Sequence, residues 1–159
     1  MRPRRLIPLL AGPLTALVVA APAQAMIQID RGIAGARLDN TRAEVRAALG
    51  KPSSVRRDMG IFGPTELFRY RGGLRVLFLG SRPRVVGVFT TGRGDRTIRG
   101  VGVGSSERAV RRRVPGVRCE TIAGTRSCHT NEFLAGERVT DFQIRGGKVR
   151  RVSVAIVID

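Results

Sequence analysis

The amino-acid sequence predicts an α+β fold made of two tandem repeats, each a helix packed on a small antiparallel sheet, and three observations carry that expectation. An offset of 65 residues lays Gly35-Ala-Arg-Leu38-Asp-Asn-Thr41-Arg-Ala-Glu-Val45 over Gly100-Val-Gly-Val103-Gly-Ser-Ser106-Glu-Arg-Ala-Val110, so that glycine, aliphatic, hydroxyl and valine positions coincide. Self-similarity at a fixed period marks a duplicated structural unit. Each copy also carries helix start and stop signals. Beyond each helix the apolar residues alternate with polar ones, the two-residue period of half-buried strands. The match continues there: Leu49 falls on Val114 and, with one residue dropped, Phe78 on Phe142, Val85 on Val149 and Val88 on Val152.

From the amino terminus, Met1-Arg-Pro-Arg-Arg5, the apolar stretch Leu6 to Ala21 and Ala23-Gln24-Ala25 have the charged, apolar, small-residue order of a secretory signal peptide. Cleavage is expected near Ala25, leaving a secreted or cell-envelope chain. The apolar run is shorter than the ~20 residues that cross a bilayer and holds Pro8 and Pro13. No transmembrane segment is expected in the mature chain. Residues 26–32 then form a short N-terminal segment, 33–92 the first repeat and 93–159 the second, sharing one core or setting their sheets side by side.

In the first repeat Thr41-Arg-Ala-Glu44 is a capping box, Val45, Ala48 and Leu49 give one apolar helix face, and Gly50 with Pro52 ends it. In the second, Ser106 takes the cap position, Val110 and Val114 the apolar face, and Pro115-Gly116 the stop. The glycines from Gly100 onward look like a phosphate loop. Neither a Gly-x-Gly-x-x-Gly after a buried strand nor a lysine after the last glycine is present, so they are expected to shape the turn that launches the helix. Strands are expected over Glu66 to Tyr70, Leu74 to Leu79 and Val85 to Thr90 in the first repeat. In the second they are expected over Val117 to Thr121, Arg126 to Thr130, Val139 to Ile144 and Val149 to Ile158. Short connections at Gly80 to Arg84 and Arg145 to Lys148 imply antiparallel neighbours.

The stretches GARLDNTRAEVRAALGKP and GVGVGSSERAVRRRVPGVRC, each followed by hairpin strands, resemble the beta-lactamase-inhibitor-protein-like fold. That fold is shared by the secreted inhibitor of beta-lactamases and by the small outer-membrane lipoprotein (SmpA/OmlA) domain. The similarity runs over residues 33 to 159. It implies two repeats with side-by-side sheets that bind a protein across a concave face. No inhibitory loop is matched, and no cysteine stands directly after the small residues Ala23-Gln24-Ala25, as a lipoprotein requires.

Removing Arg2, Arg4 and Arg5 with the signal peptide lowers the formal charge of +17 to +14. Such a field favours acidic partners: nucleic acid, anionic cell-wall polymer, lipid headgroups or an acidic protein face. The charge also has a compositional reading, because only Lys51 and Lys148 are lysine and only Arg111-Arg112-Arg113 forms a run. A chain without Trp and with one Tyr lacks the stacking platforms of single-strand nucleic-acid binders, so nucleic acid is the less favoured polyanion.

Cys119 and Cys128 both follow the signal region, and in an oxidising compartment they are expected to form a disulfide. A metal or thiol site from Cys119, Cys128 and His129 lacks a fourth ligand and any Cys-x-x-Cys spacing, so no metal and no cofactor are expected. His129 reads as a surface or edge-strand residue. Ser105 and Ser106 have no histidine near them in sequence, and the acids stand singly among arginines as surface ion pairs do. No enzyme activity is expected. Arg93-Gly94-Asp95 reads as a chance adhesion tripeptide on a loop.

Alternation assigns the faces. Val152, Val154, Ile156 and Ile158 point toward the helix, with Asp141, Gln143, Arg151 and Ser153 opposite. In the first repeat Val76, Phe78, Val86 and Val88 are expected to face the helix, leaving Arg75, Leu77, Leu79 and Phe89 on the other side. Two readings of that apolar set are open: it packs against the second repeat or Met26 to Ile29, or it forms a basic-rimmed binding face of Arg69, Arg75, Leu77, Leu79, Phe89 and Arg151. The function expected is an exported, non-catalytic domain that recognises a protein or cell-envelope component through the open sheet face. The alternative is a basic module for an anionic polymer, cell-wall or nucleic acid.

Overall fold

A computed structural model describes residues 26–81 and 83–158; the signal-peptide reading of residues 1–25 lies outside them. The first described elements are three two-residue strands, β1 (Ile27–Gln28), β2 (Gly32–Ile33) and β3 (Ala36–Arg37), paired in an antiparallel sheet. Gly32 is required there, because a Cβ would run into the carbonyl of Ala36. Helix α1 (Arg42–Leu49) starts at the expected capping box, with the Thr41 side chain accepting from the Glu44 amide and the Glu44 carboxylate accepting from the Thr41 amide. It ends at Gly50, whose φ of 77° suits glycine.

Four strands follow: β4 (Ser54–Gly60), β5 (Gly63–Arg69), β6 (Arg75–Leu79) and β7 (Arg84–Thr90), with a 3-10 turn at Arg71–Gly73 between β5 and β6. Helix α2 (Glu107–Arg113) is capped by the Ser106 hydroxyl, which accepts from the Ala109 amide. The remaining strands are β8 (Arg118–Ile122), β9 (Thr125–His129), β10 (Arg138–Arg145) and β11 (Lys148–Ile156). No helix among the described residues is long and apolar enough to cross a membrane.

All strands from β4 onward join one antiparallel sheet in the order β4-β5-β6-β7-β11-β10-β9-β8. This overturns the expected pair of helix-plus-sheet repeats. Strand dominates, the helices span only 8 and 7 residues, and a single sheet runs through both halves of the chain. The physical cause is the seam between β7 and β11, where Val88 stands opposite Val154. Each strand there completes the other's backbone hydrogen bonds, so neither half keeps an open edge at that place.

Three smaller expectations are also corrected. β4 was not expected at all, because every one of its residues is exposed and carries no apolar alternation. Val86 does not face the helices: the register slips between Leu77 and Phe78, so Val85 opposes Phe78 and Val86 is the extra residue of a bulge. Ile158 lies past the end of β11 and is 38% exposed.

One face of the sheet is the core. Phe68, Val76, Phe78, Val85 and Val88 from the first half meet Phe142, Ile144, Val149, Val152 and Val154 from the second, all buried. Each fully buried side chain of this kind contributes about 1.5–3 kcal/mol of transfer free energy. Val45 of α1, Val110 of α2 and Ile27, Ile33 and Ala36 of the small sheet belong to the same cluster. Asp30 pins the N-terminal segment to the core side, accepting from the hydroxyls of Thr130 (2.6 Å) and Thr140 (2.8 Å). That segment therefore does not cover the opposite face.

Candidate functional site

The sheet register decides which side chains share the uncovered face. Arg69 opposes Arg75 and Leu67 opposes Leu77 between β5 and β6; Arg75 opposes Phe89 between β6 and β7; Phe89 opposes Ser153 across the seam. Because neighbours along each strand alternate, these residues all stand away from the core. Leu67, Leu77, Leu79 and Phe89 are half-buried, while Arg69, Arg75 and Arg151 are exposed. The reading in which this apolar set packs under the second half or the N-terminal segment is thus not what the described residues show.

Leu67, Leu77 and Phe89 floor a depression of 260 Å³, with Arg75 and Arg151 at its sides and Gly73 and Thr91 at one end. Two glycines make that shape. A Cβ on Gly87 would sit 2.8 Å from Cζ of Phe89, so glycine lets the ring lie along its own strand. Gly73, at φ 88°, abuts the Thr91 hydroxyl so closely that no side chain fits. Leu79 lies further along β6, outside the depression. Among the described residues, no carboxylate is within ion-pair distance of Arg69, Arg75 or Arg151.

The second half of the same face is polar. His129 is 1% exposed, contrary to the expected surface position, and its ring lies 4.6 Å from that of Phe133. Its Nε2 is 2.8 Å from a Glu120 carboxylate oxygen and its Nδ1 2.9 Å from the Asn131 carbonyl. Both partners accept, so the ring makes both bonds only with a proton on each nitrogen. Ser127 donates to Asp141 rather than to His129. Burial raises the pKa of Asp141, opposed by the Ser127 hydrogen bond and by the charges of His129 and Arg151. The cluster thus ties β8, β9 and β10 together and leaves no serine activated by the histidine.

The other singled-out residues take structural places. Cys119 and Cys128 are register partners on β8 and β9 and form a disulfide, as suits a chain folding in an oxidising compartment. Glu107 lies within ligand reach of both sulfurs, but the disulfide has consumed them. Its carboxylate instead meets Arg126 at 2.5 Å and Arg111 at 2.8 Å, and the Arg126 hydrogen bond leads in lowering its pKa to about 2. Ser105 accepts from Arg96 and from the Gly102 amide, and Ser106 caps α2. Asp95 of the Arg-Gly-Asp tripeptide is buried and accepts from Thr90, so its carboxylate faces inward. A wider depression of 970 Å³ lies at the opposite edge of the molecule's second half, where Arg126, Arg145 and Arg150 surround Gly124 and Gly146.

No family model matches the chain, and no curated protein matches it. Among solved structures, the uncharacterized protein YfeY of Escherichia coli aligns with a TM-score of 0.50 at 12% identity, over 84% of this chain and 99% of that one. A DUF4309 family protein (YjgB) of Bacillus subtilis aligns with a TM-score of 0.46 at 16% identity, over 78% of this chain and 84% of that one. An extracellular protein containing an SCP domain from Bacillus anthracis gives 0.48 at 14% identity over 87% of this chain, which spans 50% of that protein's length. The likeness to YfeY is one of fold alone. None of these is described as a beta-lactamase inhibitor or an SmpA/OmlA protein, so the kinship read from the repeated stretches finds no support in them.

Proposed function

We propose that this chain is an exported, non-catalytic binding domain that receives a protein or other cell-envelope component on the uncovered face of its sheet. One observation supports the reading above the rest: Leu67, Leu77 and Phe89 form an apolar floor that no described residue covers, with Arg75 and Arg151 beside it. Apolar surface rimmed by charged residues is a form that protein interaction sites take. The disulfide and the predicted signal peptide support export. Leu77→Ala and Phe89→Ala should retain wild-type circular dichroism and melting while losing capture of a partner from the producing cell's envelope and culture fluid. Unfolding by either substitution would return those residues to the core and end the reading.

A second reading has its own observation. Arg145, Lys148 and Arg150 crowd the β10–β11 turn beside the larger depression, and no described carboxylate pairs with them. Such a cluster suits an anionic cell-wall polymer. It calls for retention on heparin or teichoic acid that weakens steeply with salt; elution at low salt would remove it.

A further inference from the structure

Three cations stand on the uncovered face without an ion-pair partner among the described residues. Arg69 is seated directly opposite Arg75, and like charges so placed repel across the ladder. Arg151 stands at the other side of the same apolar floor, where its charge also acts on Asp141, and none of the three is within ion-pair distance of a described carboxylate. Some arginines elsewhere meet acids: Arg42 and Arg57 share Glu66, Arg111 and Arg126 share Glu107, and Arg138 meets Asp39, whereas others, Arg145 and Arg150 among them, meet no described carboxylate. What sets this place apart is a directly opposed arginine pair beside an open apolar depression, and that combination suits negative charge from outside.

The geometry narrows its source. From β5 to β11 the face crosses three strand steps, about 14 Å at the usual sheet spacing, so one small anion does not serve all three guanidiniums. At 260 Å³ the depression is also smaller than the roughly 300–1,000 Å³ that encloses a whole small ligand. It suits one apolar side chain of something larger, with carboxylates on both flanks. Guanidinium forks match carboxylates in two parallel hydrogen bonds.

We propose that the depression binds an acidic segment of a partner protein in which an apolar side chain is flanked by carboxylates. The apolar group enters over Leu67, Leu77 and Phe89, and the acids pair with Arg69 and Arg75 on one side and Arg151 on the other. This rests on the open-face reading above and names the chemistry of its partner.

The test uses fluorescence anisotropy with a labelled peptide holding glutamates on both sides of a leucine–phenylalanine pair. The glutamate peptide is expected to bind, and to bind at least about tenfold more weakly to the Arg75→Gln, Arg151→Gln double variant, the effect of losing charged hydrogen bonds. Melting of that variant should match or exceed wild type, since no described ion pair is lost and the repulsion between Arg69 and Arg75 is relieved. A peptide with glutamines for the glutamates, and one with serines for the apolar pair, should each lose comparable affinity. Equal binding of the glutamine peptide or of the double variant would overturn the charge requirement, and equal binding of the serine peptide would reduce the site to a polyanion patch. No binding by any peptide, with capture in the Leu77 and Phe89 experiment intact, would sink this inference and leave the open-face reading standing.

Discussion

The β4–β5 and β8–β9 hairpins close the same eight-stranded sheet at opposite edges, yet only the second is stapled. In β8–β9 the Cys119–Cys128 bond joins directly opposed residues, and the tip is Ala123-Gly124, both at positive φ as a tight hairpin turn asks. Its inner strand is buried from Ser127 to His129. In β4–β5 the outer strand is exposed along its whole length, and the tip holds Ile61 and Phe62, 93% and 46% exposed. What ties that hairpin toward α1 is Glu66, 3% exposed, which receives Arg42 of α1 and Arg57 of β4. The second half thus spends its polar and covalent chemistry on holding itself together. Among the described residues, the first half leaves its outer strand exposed and its apolar floor open, and the candidate binding surface lies on that side of the contrast.

The contrast is broken most directly by removing the staple. Reduction, or the Cys119→Ala, Cys128→Ala double change, should cost about 2–3 kcal/mol for a loop of this length, read as a lower melting temperature. An unchanged melt would mean that the disulfide is not what separates the two hairpins. Next in size is Glu66→Gln, which removes the buried charge facing Arg42 and Arg57 and should cost about 1–3 kcal/mol in a urea titration. A loss below about 0.5 kcal/mol would make β4 independent of α1.

Glu107→Gln sharpens the second half with a pH signature. The carboxylate's pKa falls from 4.5 to about 2, so its stabilisation is present above pH 4.5 and lost as pH falls toward 2. Wild type should exceed the variant by about 1 kcal/mol near neutrality and converge with it in strong acid, measured by melts across that range. Asp141 runs the other way. With its pKa raised above 3.8, ionising it opposes the fold, so Asp141→Asn should gain on wild type as pH rises from acid toward neutral. The smallest effect belongs to Ile61→Ser and Phe62→Ser, which should stay within about 0.5 kcal/mol of wild type. A loss beyond about 1 kcal/mol would show the tip packed and remove the contrast at that edge.

Signals carried by a few adjacent residues were legible in the sequence. Thr41 with Glu44 and Ser106 marked both helix starts, and the alternation from Arg75 to Leu79 put Leu77 and Leu79 on the face opposite Val76 and Phe78. β4 was illegible because a fully exposed strand has no apolar period to read. Val86 was assigned to the wrong face because alternation assumes an unbroken register, and the bulge opposite Leu77 and Phe78 breaks it. Leu67 was missed at the site although it sits one residue before the buried Phe68 and so had to face outward. The single sheet was out of reach because the pairing of Val88 with Val154 joins residues far apart along the chain, where no local pattern records it.

That seam also governs how the molecule is assembled. β7 cannot be covered on its outer side until β11 has been brought across the intervening helix and three strands, a non-local closure of the kind that slows folding. Until then two raw strand edges face solvent, each a template for pairing with another chain. Refolding yield should accordingly fall with concentration, and both halves of the sheet should acquire their protection in a single step as β11 docks.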